Sequence, residues 1–236
     1  MSQEKEKHLP YYTVMEAIQQ AKGCPLCFLE VSTTRRYLEG VLYEFVNDSG
    51  VRRDLVRSKG YCHRHAHVLA GFRSGLGTAV LYQDQIRLLL ELLETLPAPA
   101  SKITRRSAVT AWAKRAPCPA CRRESEGRER HVAIFVEGLD DETMRAAFDA
   151  CPGLCVPHFL FVYERTKSAA LRQGLVETQQ RKFRTLQAEL SEFIARHDYR
   201  RVGEGFGDVG DSWLRAVRLM VGEQGTEVAQ GGDRVS

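Results

Sequence analysis

A chain of 236 residues that is 43% hydrophobic and 27% charged has the makeup of a soluble globular protein able to bury an ordinary core. Its longest apolar run, around Leu88 to Leu93, is interrupted by Arg87, Glu91 and Glu94, so nothing approaches the ~20 residues that span a bilayer, and no membrane is expected. The N-terminal MSQEKEKHLP is polar and lacks the apolar stretch of a secretory signal. A cytoplasmic, reducing location is therefore expected, where paired cysteines point to metal more than to disulfides.

The net charge is +4, but residues 101–130 carry nine Lys or Arg against three Glu. This basic stretch reads as a solvated linker, or as a contact for nucleic acid or an acidic protein. Only Trp112 offers an aromatic ring there, so base stacking is not indicated. The last thirty-odd residues are acidic and Gly-rich.

In chain order the elements are almost all helical. Tyr11 to Gln20 is a short amphipathic helix. A helical pattern runs from Cys27 to about Val46, where Asn47-Asp48-Ser49-Gly50 signals a turn and a cap. A short helix over Arg52–Arg57 follows, then Gly60, then a helix opening at Cys62. Tyr82, Ile86, Leu89, Leu93 and Leu96 form one face of a long helix from Thr78 to Leu96, stopped by Pro97 and Pro99. That face suits packing within the chain or against a second subunit, and the oligomeric state is not legible.

The second half follows the same plan. Cys118-Pro119-Ala120-Cys121 matches Cys24-Pro25-Leu26-Cys27, and Glu124 falls where Glu30 does. Asp140-Asp141 stands for Asp48-Ser49 as a cap. Gly153-Leu154-Cys155-Val156-Pro157-His158 answers Gly60-Tyr61-Cys62-His63-Arg64-His65, and a long helix from Ala169 to about Arg196 carries Phe183, Leu186, Leu190 and Phe193 on one stripe. Between the inner cysteines lie 34 residues in one copy and 33 in the other, which reads as an internal duplication. The expected class is all-α. A first helical repeat (1–100), a basic linker (101–117), a second repeat (118–200), a C-terminal helix (201–222) and a flexible tail (223–236) make it up. Asp211 would cap the final helix, Ser212–Val221, with Trp213, Val217 and Met220 facing inward and Gly222 ending it.

Thiolate and imidazole are preferred ligands of zinc, and structural zinc takes four in a tetrahedron. Each copy offers four: Cys24, Cys27, Cys62 and His65, then Cys118, Cys121, Cys155 and His158. Two zinc ions per chain are expected, each closing a helical excursion at its base, with no ligand position left for a catalytic water. Each site is expected within its own copy, although spacing alone does not rule out pairing across the copies, Cys24 and Cys27 with Cys155 and His158. The competing readings are metal-free buried cysteines, a redox dithiol, which wants strands that the pattern lacks, and an iron–sulfur cluster on three Cys and one His. His63, His67 and Cys151 have no ligand-type counterparts in the other copy; they read as exposed helix residues and as a small buried thiol. Arg122 and Arg123 follow the second knuckle, where they either offset its negative charge or are simply solvated.

GCPLCFLE, SKGYCHRH, APCPAC, GLCVPHF and DYRRVGEGF…DSWLRAV together resemble an uncharacterised bacterial family, a domain of unknown function of about this length. The resemblance runs from about Tyr11 to Gly222 and implies a helical protein with paired cysteine and histidine signatures, without an activity. The function expected is an interaction or regulatory module with an unknown protein partner. The alternative is a redox- or metal-responsive protein with an iron–sulfur cluster or labile zinc thiolates.

Overall fold

The structure, a computed structural model, describes residues 8–95, 109–110, 112–201, 203 and 205–224. Ten α-helices and two short 3-10 helices are found among these residues, and no strand. The proline stop after the long helix, most of the basic linker and the tail beyond 224 lie outside the described residues.

α1 (Leu9–Gln20) opens with Pro10 in its first turn, where the missing N–H costs nothing. α2 (Pro25–Tyr43) ends three residues before the expected Val46, where Glu44 and Phe45 both turn their N–H groups back onto the Gly40 carbonyl. α3 (Ser49–Ser58) is capped by Asp48, whose carboxylate accepts from Val51 N at 2.8 Å. α4 (His63–Gly71) and α5 (Gly75–Thr95) follow. α6 (Pro119–Gly138) again opens on a proline, and α7 (Glu142–Ala150) is capped by Asp141 through Thr143 N. α8 (Val156–Arg165) leads to α9 (Ala169–Ala195), capped by Ser168, and α10 (Ser212–Val221) closes the described chain.

The chain forms two compact units, one from residues 1–31 with 127–236 and one from 32–126. In the first unit, Val14 and Ile18 of α1, Leu26 and Leu29 of α2, Val132 and Phe135 of α6, Phe148 of α7 and Val162 of α8 make a single core. Phe135 and Phe148 meet edge-on with centroids 5.2 Å apart, an arrangement that contributes ~0.5–1.5 kcal/mol beyond burial. In the second unit, Leu38, Val41 and Leu42 of α2 pack with Leu55, Leu69 and Leu81. On α5 only the start of the expected face is engaged: Tyr82 packs on that core, Ile86, Leu89 and Leu93 are exposed, and Leu96 lies outside the described residues.

α10 corrects one expectation. Trp213, Val217 and Met220 do not face inward; they are 52%, 53% and 60% exposed. The inward side carries Ser212, Arg215, Ala216 and Leu219. The helix is apolar on two sides, and the ion pair from Arg215 to Glu189 of α9 at 2.6 Å selects the one that turns in. Asp211 occupies the N-cap position without bonding a backbone N–H; its carboxylate accepts from Arg215 Nε instead.

Candidate metal centres

The paired motifs end up at helix starts. Cys24 and Cys118 stand just before α2 and α6, and their carbonyls accept from Phe28 N and Arg122 N, the first intrahelical bonds. The proline after each sits where no N–H is required, and Cys27 or Cys121 follows in the first turn. Cys62 and Cys155 are the N-cap residues of α4 and α8, in extended conformation. His65 and His158 lie three residues on, within the first turn, on the same face as the cap side chain.

Each N-cap cysteine is delivered by a glycine. Gly60 and Gly153 have φ of +88° and +99°, conformations that a side chain disfavours. At Gly153 a Cβ would also meet Lys182 Cδ at 2.6 Å. The loop before Cys155 is pinned by the buried Gln179, which accepts from Leu154 N at 3.1 Å and donates to Leu154 O at 2.8 Å. Before Cys62 the hydroxyl of Ser58 does related work, donating to Gly60 O at 2.9 Å.

Four ligand-type atoms converge twice. Cys24, Cys27, Cys155 and His158 form one cluster and Cys62, His65, Cys118 and Cys121 the other, and in each set the ligand atoms all lie within 4.8 Å of one another. All eight residues singled out in the sequence are therefore brought together. This corrects the expected grouping within each copy: Cys24 and Cys27 meet Cys155 and His158 rather than Cys62 and His65, and Cys118 and Cys121 meet Cys62 and His65. None of the seven cysteines forms a disulfide.

The first cluster lies within the first unit. Cys27 Sγ is 3.6 Å from Cys155 Sγ, and His158 Nδ1 stands 3.5, 3.3 and 3.2 Å from the sulfurs of Cys24, Cys27 and Cys155. In the second cluster, Cys62 Sγ is 3.6 Å from Cys121 Sγ, and His65 Nδ1 is 3.3, 3.6 and 3.4 Å from Cys62, Cys118 and Cys121. A tetrahedron with zinc bond lengths has edges of about 3.8 Å between sulfurs and about 3.6 Å between sulfur and nitrogen. The donor sets thus fit one ion each, with Nδ1 as the imidazole ligand. Two helix N-termini point at each cluster, and their partial positive charge favours thiolate there.

The imidazoles' outer nitrogens differ in company. His158 Nε2 is 3.1 Å from the buried carboxylate of Glu30, which also takes a hydrogen bond from the Arg128 guanidinium. His65 Nε2 is 3.9 Å from Glu124, whose two oxygens accept from both terminal nitrogens of Arg64. Glu30 and Glu124 were not singled out as functional in the sequence, although their shared place three residues past each Cys-Pro-x-Cys pair was the signal that could have found them. A third contact, from Glu223 N–H to Cys27 Sγ at 3.4 Å, carried no sequence signal.

Without metal, the thiols of each cluster split. Hydrogen bonds from Cys155 and Cys24 pull Cys27 well below the usual thiol range, while burial pushes Cys24 up. Cys118 falls to about 3 through its bond with Cys121, which is pushed up in turn by Cys118. Burial opposes the charged form of His158, yet contacts to Cys155, Cys27 and Glu30 raise it to about 11.

The bystanders stand apart. His63 and His67 are exposed and pack edge-on against each other with centroids 4.6 Å apart. Cys151 is buried outside both clusters, where its sulfur accepts from Gly153 N. Arg122 and Arg123 pair with Asp54 and Glu126. A cavity of about 250 Å³ borders the first cluster, lined by Cys24, Cys151, Cys155, Lys182, Phe183 and Arg215 among others.

This is an all-helical protein with two Cys3His clusters that could hold metal, and no described helix is long and apolar enough to cross a membrane. The chain belongs to a family of unknown function, DUF6062, whose model matches residues 5–227. It is 25% identical over 203 residues to an uncharacterized 23.9 kDa protein in the xynA 3' region of Caldicellulosiruptor sp. (strain Rt8B.4), covering 85% of this chain and 96% of that one. No solved structure matches.

Proposed function

We propose that the chain is a two-zinc helical protein in which the metals staple helices together and so present a surface to a partner. The observation that carries this reading is the pair of Cys3His donor sets spaced as the edges of single tetrahedra. Four protein ligands leave no open position, which favours a structural ion over a hydrolytic one. In an iron–sulfur cluster the four ligands are divided among two or more irons and do not all fall on one tetrahedron, so these short edges favour one ion per site. The arrangement also suits an internal duplication of residues 1–100 and 118–200, with each copy lending its Cys-Pro-x-Cys pair to one site and its Cys-x-x-His pair to the other. Cysteines without disulfides suit a reducing, cytoplasmic location.

The stabilisation is large. Structural zinc in small peptides contributes ~10–16 kcal/mol, against ~5–15 kcal/mol for the stability of a whole domain. A nucleic-acid contact through residues 101–130 draws less support, because Arg122, Arg123 and Arg128 are committed to Asp54, Glu126 and Glu30. A metal-responsive role is the second reading, favoured by the partial exposure of Cys62, Cys118 and Cys121. Elemental analysis with a visible spectrum of protein purified without added metal tests both. A colourless chain with two zinc ions supports the proposal, and a brown chain with iron and sulfide overturns it.

A further inference from the structure

The two donor sets are chemically identical, so any difference in their behaviour comes from their surroundings. Cys24, Cys27, Cys155 and His158 are 6%, 0%, 0% and 0% exposed, whereas Cys62, Cys118 and Cys121 are only partly buried. The outer contacts differ in the same direction. Glu30 accepts from His158 Nε2 at 3.1 Å, and Glu223 N–H donates to Cys27 Sγ. In the second cluster the buried His65 Nε2 has no hydrogen-bond partner among the described residues, since Glu124 turns its oxygens to Arg64.

We propose that the Cys62/His65/Cys118/Cys121 cluster is the exchangeable metal site of this protein and that the Cys24/Cys27/Cys155/His158 cluster retains its ion. The inference rests on both clusters holding a single divalent ion. It gives the molecule one ion that holds structure and one that reports on the supply of zinc or of soft acceptors such as small thiols.

The step is ligand exchange without redox change. An acceptor's lone pair forms a bond to the metal as one metal–sulfur bond breaks, and the departing thiolate takes a proton from water. At the second cluster that thiolate reaches solvent on release. At the first it would stay desolvated, which is costly for a charge. A hydrogen bond to the outer imidazole nitrogen fixes the ring and raises its basicity, and its loss typically weakens metal binding by ~10–100-fold. The first cluster has that bond, and among the described residues the second does not. The cavity beside the first cluster does not reverse the order, because the ligands that line it, Cys24 and Cys155, are 6% and 0% exposed.

The full-length zinc-loaded chain is mixed with excess chromogenic zinc chelator in the presence of iodoacetamide. Zinc transfer is followed by absorbance, and alkylated cysteines are mapped by peptide mass at each time. The expected result is two phases of one zinc each, the fast one at least about tenfold faster, with Cys62, Cys118 and Cys121 alkylated in step with it. Glu30→Gln should accelerate the slow phase and leave the fast one unchanged. Alkylation of Cys24, Cys27 and Cys155 with the first zinc overturns the proposal. So do two zinc ions leaving at one rate, although that outcome leaves the two-zinc reading intact. A chain that binds no zinc at all, as purified or on reconstitution, removes both. The wild-type measurement needs no variant, so a misfolded Glu30→Gln protein would not obscure the result.

Discussion

Glu30 offers the sharpest perturbation because one carboxylate serves two buried partners. Its side chain is 1% exposed, it accepts from His158 Nε2 at 3.1 Å, and it pairs with Arg128, whose side chain is 9% exposed. Glu30→Gln keeps the shape and removes the charge. On the metal side, losing such an outer-shell carboxylate lowers affinity ~10–100-fold, which is about 1.4–2.8 kcal/mol. On the folding side, breaking a buried ion pair by removing the charge of one member costs up to ~3–5 kcal/mol, a large part of a typical domain's stability. The two effects separate in Glu30→Gln/Arg128→Met, where the buried guanidinium is gone but the imidazole still lacks its carboxylate. Competitive zinc titration and thermal unfolding of the loaded chain give both readouts. The single variant should lose affinity at one site and melt lower. The double variant should recover much of the melting temperature and none of the affinity. An affinity that is unchanged in the single variant, or restored in the double, would refute a role for Glu30 in holding His158.

Glu124→Gln should change zinc affinity less than Glu30→Gln, because Glu124 stands 3.9 Å from His65 Nε2; the same titration checks it. Acidification should release metal, since binding needs thiolates and protons compete for them. Cys118 at about 3 and the lowered Cys27 favour thiolate in the free clusters, whereas the raised Cys24 and Cys121 must give up protons on binding. Affinity therefore rises with pH, and zinc release measured between about pH 8 and pH 5 should increase steadily as pH falls. Gly153→Ala should destabilise by ~1–2 kcal/mol through its left-handed backbone alone, and by more through the contact with Lys182. Gly60→Ala has the same backbone penalty but meets only Gln85 Cγ at an ordinary 3.8 Å. Thermal melts of the two variants should rank them in that order.

The helices and the clustered Cys and His residues were legible because local rules decide them. Asp48 and Asp141 bond the first turns of α3 and α7 as capping residues do, and the Cys-Pro-x-Cys and Cys-x-x-His spacings place two donors on one helix start wherever they occur. The grouping was not legible. Spacing binds Cys24 to Cys27 and Cys155 to His158, but a separation of more than a hundred residues says nothing about which pair faces which. Glu30 and Glu124 read as ordinary helix glutamates, since nothing in the local pattern tells a solvated carboxylate from one aimed at an imidazole. On α10 the periodicity offered two apolar sides, and Trp213, Val217 and Met220 were the larger side chains on the wrong one. The selecting contact, Arg215 to Glu189, is a tertiary one.

The zinc content of Cys24→Ser, Cys155→Ser and the double variant tests the remote pairing directly. If Cys24 and Cys155 hold the same ion, the wild type carries two zinc ions, each single variant one, and the double variant still one. A double variant with none would place the two cysteines in different sites, and a wild type with none would remove the metal centres altogether.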